Sequence, residues 1–243
     1  MHHRIFVFLS ACLCVLSPVC AQWRVGATAG VDLNHYYQEN GYAYDRIISP
    51  AWGGTGGVSA QYDFLNWLGL RMDLNITQRN YSSRYFLRKW IDMDGVEQQE
   101  QYRYSNLYLM LPVTVSFSFG GEHVRGYADI GGYMGIWSGG RVRGQMQDEY
   151  HYEQQDDGIY RFQTYEVSER YSFDKRRDRL FDAGLAGRIG VIYNAPSHLY
   201  VLLEAVCYYG LVNNHKTGSE HIRQPGYHTT AALQIGVGYR FNK

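Results

Sequence analysis

The sequence predicts an all-β protein, one eight-stranded antiparallel up-and-down transmembrane β-barrel with short periplasmic turns and long extracellular loops. Three observations predict it. Eight segments alternate apolar and polar side chains with a period of two. The links between them alternate strictly between short and long. An apolar leader opens the chain, and a single cysteine follows it.

The leader is read as a secretory signal over residues 1–21. His2, His3 and Arg4 give a weakly positive start, and Ile5 to Val19 is apolar apart from Ser10 and Ser17. Val19-Cys20-Ala21 is a small-residue cleavage site, so the barrel is expected over 22–243. A competing reading takes Leu9-Ser10-Ala11-Cys12 as a lipobox with a lipidated Cys12; the apolar run continues past Cys12, which favours the later cut. Cys12, Cys14 and Cys20 leave with the signal. Only Cys207 stays, so no internal disulfide can form.

Composition narrows the class further. Lys plus Arg number 23 and Asp plus Glu number 23, so the net charge is zero. A nucleic-acid binder would show a basic excess. Tyr (23) and Gly (27) are frequent and Pro (5) is rare, which leans toward strands.

The first segment sets Trp23, Val25, Ala27, Ala29, Val31 and Leu33 against Arg24, Thr28, Asp32 and Asn34. The second sets Val58, Ala60, Tyr62 and Phe64 against Ser59, Gln61 and Asp63. The third sets Leu70, Met72, Leu74 and Ile76 against Arg71, Asp73, Asn75 and Thr77. The fourth, LYLMLPVTVSFSFG, puts Leu107 through Phe119 at odd positions on one face and Tyr108 through Ser118 on the other. Pro112 has no N–H to give, so a bulge or local break is expected there. The fifth sets Ala128, Ile130, Met134 and Ile136 against Tyr127, Asp129, Tyr133 and Trp137. The sixth sets Phe181, Leu185, Ile189 and Val191 against Asp182, Ala186 and Arg188. The seventh opposes Val201, Leu203, Ala205, Cys207 and Tyr209 to Tyr200, Glu204 and Tyr208. The last opposes Leu233, Ile235, Val237, Tyr239 and Phe241 to Ala232, Gln234 and Arg240. The apolar faces carry no charge. Each run is close to the roughly 9–11 residues of a tilted membrane strand.

Alternation alone fits a soluble sandwich equally well; the links decide. They are short around Asn66, at Gly120-Gly121-Glu122 and at Asn194-Ala195-Pro196-Ser197. They are long over 35–53, 78–103, 138–178 and 212–227. A sandwich has no reason for this order, whereas an outer-membrane barrel requires it. Trp23, Phe64, Trp67, Phe117, Phe119, Tyr239 and Phe241 gather at the short-turn end. Tyr36, Tyr81, Tyr104, Trp137 and Tyr227 gather at the other, so aromatic girdles are expected at both interfaces.

The stretches YLMLPVTVSF, GYADIGGYMGIW, FDAGLAGRIGVIY, LEAVCYYGL and the closing VGYRF resemble the small outer-membrane barrel proteins of Bacteroidetes, the PorT-like group. They cover most of residues 102–241, and the first three strands match in pattern alone. The resemblance implies an outer-membrane location. At a finer level it implies an accessory place in a Bacteroidetes protein secretion system. Phe241 resembles the terminal aromatic read by assembly machinery, although Asn242 and Lys243 follow it.

An eight-stranded barrel has an interior that side chains fill. Its buried charges must pair. We expect a luminal charge network of Arg71, Asp73, Asp129, Asp182, Arg188 and Glu204, acting as a plug. Function then moves outside the membrane plane, to a structural or interaction role. Asp94-Gly95 marks a hairpin turn within 78–103, and Asp156-Asp157-Gly158 marks a second within 138–178. Tyr85, Phe86, Trp90, Tyr102 and Tyr104 form a candidate extracellular binding patch beside Arg84, Arg88 and Lys89. Expected partners are outer-membrane lipid, lipopolysaccharide, and an envelope protein met through the extracellular loops or periplasmic turns. The barrel itself is expected to be a monomer.

No enzyme, cofactor or metal site is assigned. An outer-leaflet lipid-modifying enzyme is the alternative, and would draw on His35, His215, His221, His228, Ser219 and Glu220. The six-residue spacing in HKTGSEH matches no standard ligand pattern. Gly53 to Gly57 precedes no helix and is no phosphate cradle. Asn75-Ile76-Thr77 and Asn80-Tyr81-Ser82 match glycosylation acceptors by chance.

Overall fold

The computed structural model describes residues 22–38, 45–87, 98–154, 160–176, 178–216 and 225–241. The leader, the two Asp-Gly hairpin tips and the segment with His221 lie outside these residues.

Nine strands follow in order: β1 (Gln22–Gln38), β2 (Asp45–Leu65), β3 (Leu68–Leu87), β4 (Gln98–Gly120), β5 (Val124–Gln154), β6 (Tyr160–Arg170), β7 (Phe181–Asn194), β8 (Leu199–Gly210) and β9 (Gly226–Phe241). Eight of them close a ring of antiparallel neighbours, β1-β2-β3-β4-β5-β7-β8-β9, with β9 returning to β1. β6 pairs with β5 alone. The expected eight-stranded barrel is therefore the fold, with one further strand standing above it.

Side-chain placement is inverted relative to a soluble protein. Ile130 is 67% exposed and Ile189 is 65% exposed, while Asp32, Arg71 and Glu204 are buried. A sandwich would bury the first two and expose the rest. Only hydrocarbon accepts a continuous apolar band of this kind.

At the short-turn end, Gly120 has φ +118°, where a side chain's Cβ would lie 2.8 Å from the Val124 carbonyl. The turn needs glycine. The Pro112 break is present on one side only. Pairing of β3 with β4 skips from Met72↔Val113 to Asn75↔Met110. Toward β5, Pro112 stays in register with Tyr133, and the bulge falls at Leu107/Tyr108.

The long links are shorter than expected, because the strands continue through them. β3 reaches Leu87, β4 begins at Gln98 and β5 runs for 31 residues to Gln154. The barrel wall on this side rises into a sheet above the membrane. Between β7, β8 and β9 the described strands stop near the barrel mouth.

Candidate functional site: a filled lumen beneath a raised sheet

The lumen is filled in tiers. At the short-turn end Arg24 forks onto Asp63, with two bonds of 2.8 Å, and Gln61 adds a third at 2.9 Å. Above them lies the central network. Arg71 bonds Asp73 at 2.9 Å and Glu204 at 2.9 Å. Arg188 bonds Asp73 at 2.9 Å and Asp129 at 3.2 Å, and its Nε lies 3.4 Å from Glu204. The Tyr127 hydroxyl donates to Glu204 at 2.5 Å. The strands bring these residues together because each sits at an inward position of its own alternation.

Asp182 does not join that network. It belongs to a higher tier, paired with Arg79 and accepting from the Tyr133 hydroxyl at 3.0 Å. Arg79 lies in β3, inside the 78–103 interval expected to be a link. Its guanidinium sits 4.8 Å from the Tyr108 ring centre and 5.1 Å from that of Tyr133. The available signal was the inward period itself, which continues from Arg71 through Thr77 to Arg79, Tyr81 and Ser83.

Asp32 stands apart. It is fully buried, yet neither carboxylate oxygen has a hydrogen-bond partner. Its cross-strand neighbours are Gly53 and Ala232, neither of which has a polar side chain.

The mouth is closed by rings. Tyr36 stacks on Tyr81 with centroids 4.6 Å apart, and Tyr81 stacks on Tyr104 at 4.7 Å. Trp137 packs against Tyr171 at 4.7 Å and Phe173 at 4.8 Å. Tyr36, Tyr81 and Trp137 therefore face inward, which corrects the expected upper girdle: they cap the lumen instead of lining the lipid. The lower girdle faces lipid, with Trp23, Trp67, Phe119 and Phe241 all at least half exposed.

Of the histidines offered for catalysis, the structure brings His215 and His228 together around Tyr36, whose ring centre lies 4.8 Å from that of His228. His228 is buried and meets the Asn34 amide at 3.0 Å, and Asn34 accepts from Thr230 at 2.8 Å. His215 contacts the Tyr36 hydroxyl at 3.0 Å. His35 points outward. Ser219, Glu220 and His221 lie outside the described residues. Among the described residues no three His, Cys, Asp or Glu side chains form a metal-binding group.

The aromatic patch divides. Tyr85, Tyr102 and Tyr104 are half-buried on the face of the raised strands that continues the lumen. Tyr85 meets Tyr102 edge-on at 6.2 Å, and Arg46 sits 4.9 Å above the Tyr85 ring. Partial burial, then the Glu100 carboxylate, push the Tyr102 phenol up to about 12, so it stays a neutral donor to Glu100 at 3.2 Å. The side chain of Phe86 and all of Trp90, Arg88 and Lys89 lie outside the described residues. Arg84 is on the opposite face.

The family model of the outer membrane protein beta-barrel domain matches residues 17–216. The chain belongs to that family. Its place is the outer membrane, and the short turns then lie in the periplasm. No curated protein matches it. Among solved structures it is similar to OprG from Pseudomonas aeruginosa, at 12% identity over 92% of this chain and 96% of that one, with a TM-score of 0.44. Neisserial surface protein A gives 18% over 90% and 97%, with 0.38. Ail of Yersinia pestis gives 12% over 90% and 98%, with 0.37.

Proposed function

We propose that this barrel is a plugged anchor whose work is done by the sheet it raises outside the cell, as an interaction protein and not as a pore or an enzyme. The observation that carries the reading is the pairing of β6. It bonds β5 from Arg141↔Arg170 upward, and no other described strand takes its second edge. Side chains 163–170 are exposed or half-exposed on both faces. An unpaired edge with solvent on each side is a template for a partner strand. The filled lumen supports the same reading, because it leaves the membrane-spanning part with no transport task.

The test is recovery of the tagged barrel from mildly solubilised envelopes, beside a variant in which 143–168 is replaced by a short turn. Both are first checked for the heat-sensitive gel mobility of a closed barrel. A protein recovered in stoichiometric amount with the full chain, and lost with the shortened one, is the expected result. Recovery of each barrel alone sinks the reading. If the companion is a secretion-machinery subunit, the finer role implied by the PorT-like resemblance follows.

A further inference from the structure

The register of the raised strands gathers arginines on one face. Odd positions of β4 face lipid through Leu107 and Leu109, and the same face continues upward through Ser105, Arg103 and Gln101. Arg141 pairs with Ser105 and Arg143 pairs directly with Arg103. Arg170 of β6 pairs directly with Arg141. Arg84 of β3 pairs with Gln101, one outward step above Arg103. Arg84, Arg103, Arg141, Arg143 and Arg170 thus form a continuous zigzag across four strands, and all five are exposed.

This arrangement is unfavourable for the isolated sheet. Directly opposed residues have Cβ atoms about 4.5–5.5 Å apart, and like charges there destabilise the pair. Two such pairs, Arg103↔Arg143 and Arg141↔Arg170, stand side by side. Among the described residues no ion pair relieves any of the five. Arg103 donates to the Trp52 carbonyl at 3.3 Å, and Glu166, opposite Gln145, is an exposed acid on this face that pairs with none of the five. An external anion is what the face lacks.

Height identifies the anion. Arg103 is four residues above Leu107, about 13 Å along a strand that rises some 3.3 Å per residue. Tilt brings this into the zone just outside the hydrocarbon, where lipid headgroups lie. The arginines face outward, toward those lipids, and the guanidinium fork matches phosphate. We infer that this face is a docking site for the phosphorylated headgroup of an outer-leaflet lipid of the lipid A type. The site rests on the outer-membrane placement and not on any protein partner, so either can fail without the other.

The test uses the purified barrel in vesicles of phosphatidylcholine mixed with bisphosphorylated lipid A. The readout is lipid A retained per barrel after mild detergent extraction. Wild type is compared with R103Q/R143Q, R141Q/R170Q and the combined variant. Heat-sensitive gel mobility checks each fold, and the exposed positions should leave it unchanged; should the combined variant fail this check, the two double variants carry the comparison. Wild type should retain phosphorylated lipid A roughly tenfold or more above its dephosphorylated form, and the combined variant should lose most of that excess. Equal retention of both lipids by wild type overturns the proposal. So does equal retention by wild type and variants. Release by inorganic phosphate at the same phosphate concentration also overturns it, since that marks a free-anion site.

Discussion

Arg188 touches Asp73 and Asp129 directly and lies within 3.4 Å of Glu204, while Arg71 is the one other cation in that tier. Replacing it with Met leaves three carboxylates facing one guanidinium, in a place water does not reach. Removing one partner of a buried pair costs about 3–5 kcal/mol, so R188M should unfold at clearly lower urea in reversible refolding from vesicles. Asp32 predicts the opposite sign. Its oxygens have no partner to lose, so D32N should leave stability unchanged or raise it by about 1 kcal/mol. A drop of more than about 1 kcal/mol in the same titration would show that the carboxylate is held after all. The inward charges of the central tier were legible from period two alone. Arg79 was missed for a physical reason. Above Ile76 the outward positions of β3 turn to the exposed Gln78, the buried Asn80, whose amide donates to the Trp52 carbonyl, and the half-buried Ser82, so no apolar residue marks the outward face there. The apolar half of the alternation vanishes although the strand does not.

The same rule governs whole elements. The eight spanning runs were readable because hydrocarbon on one face forces an apolar residue at every second position. The described side chains of β6, 163–170, and those of β5 over 141–146 are exposed or half-exposed on both faces. Nothing in YRFQTYEVSER demands alternation, and the strand was read as part of a hairpin without bounds. The Asx-Gly turn signals pointed to the hairpins, and pairing continues up to Leu87↔Gln98 and Gln154↔Tyr160, just below each expected tip. Turns impose their own demands. Gly120 holds a conformation closed to other residues, so G120V should cost about 1–3 kcal/mol by strain. It should also slow closure of the β4–β5 hairpin during assembly. Vesicle refolding followed by gel mobility checks both, and refolding indistinguishable from wild type would refute the assignment.

For the molecule as a whole, the filled lumen sets the electrical behaviour. Arg71, Arg79, Arg188 and the rings of Tyr36, Tyr81 and Trp137 occupy successive levels from the middle of the barrel to its mouth. A planar bilayer containing the protein should show no sustained conductance steps under neutral buffer. Stable openings that scale with protein concentration would contradict a plug. Fold class and the eight strands of the wall followed from the sequence, because lipid, water and the membrane's thickness act on every residue of a wall one residue thick. The cap at the mouth did not follow. Tyr and Trp suit an interface and a sealed interior equally well by type, and the register that turns Tyr36 and Tyr81 inward depends on strands longer than the membrane.

The barrel wall is not level. It stands tall from β2 to β6 and low from β7 to β9. A cylinder with an even rim looks the same to every neighbour, whatever its rotation in the plane. This one has a front and a back. Molecules diffusing beside it in a crowded leaflet meet a raised sheet on one flank and shorter strands on the other, so its encounters have a heading even before any specific contact forms.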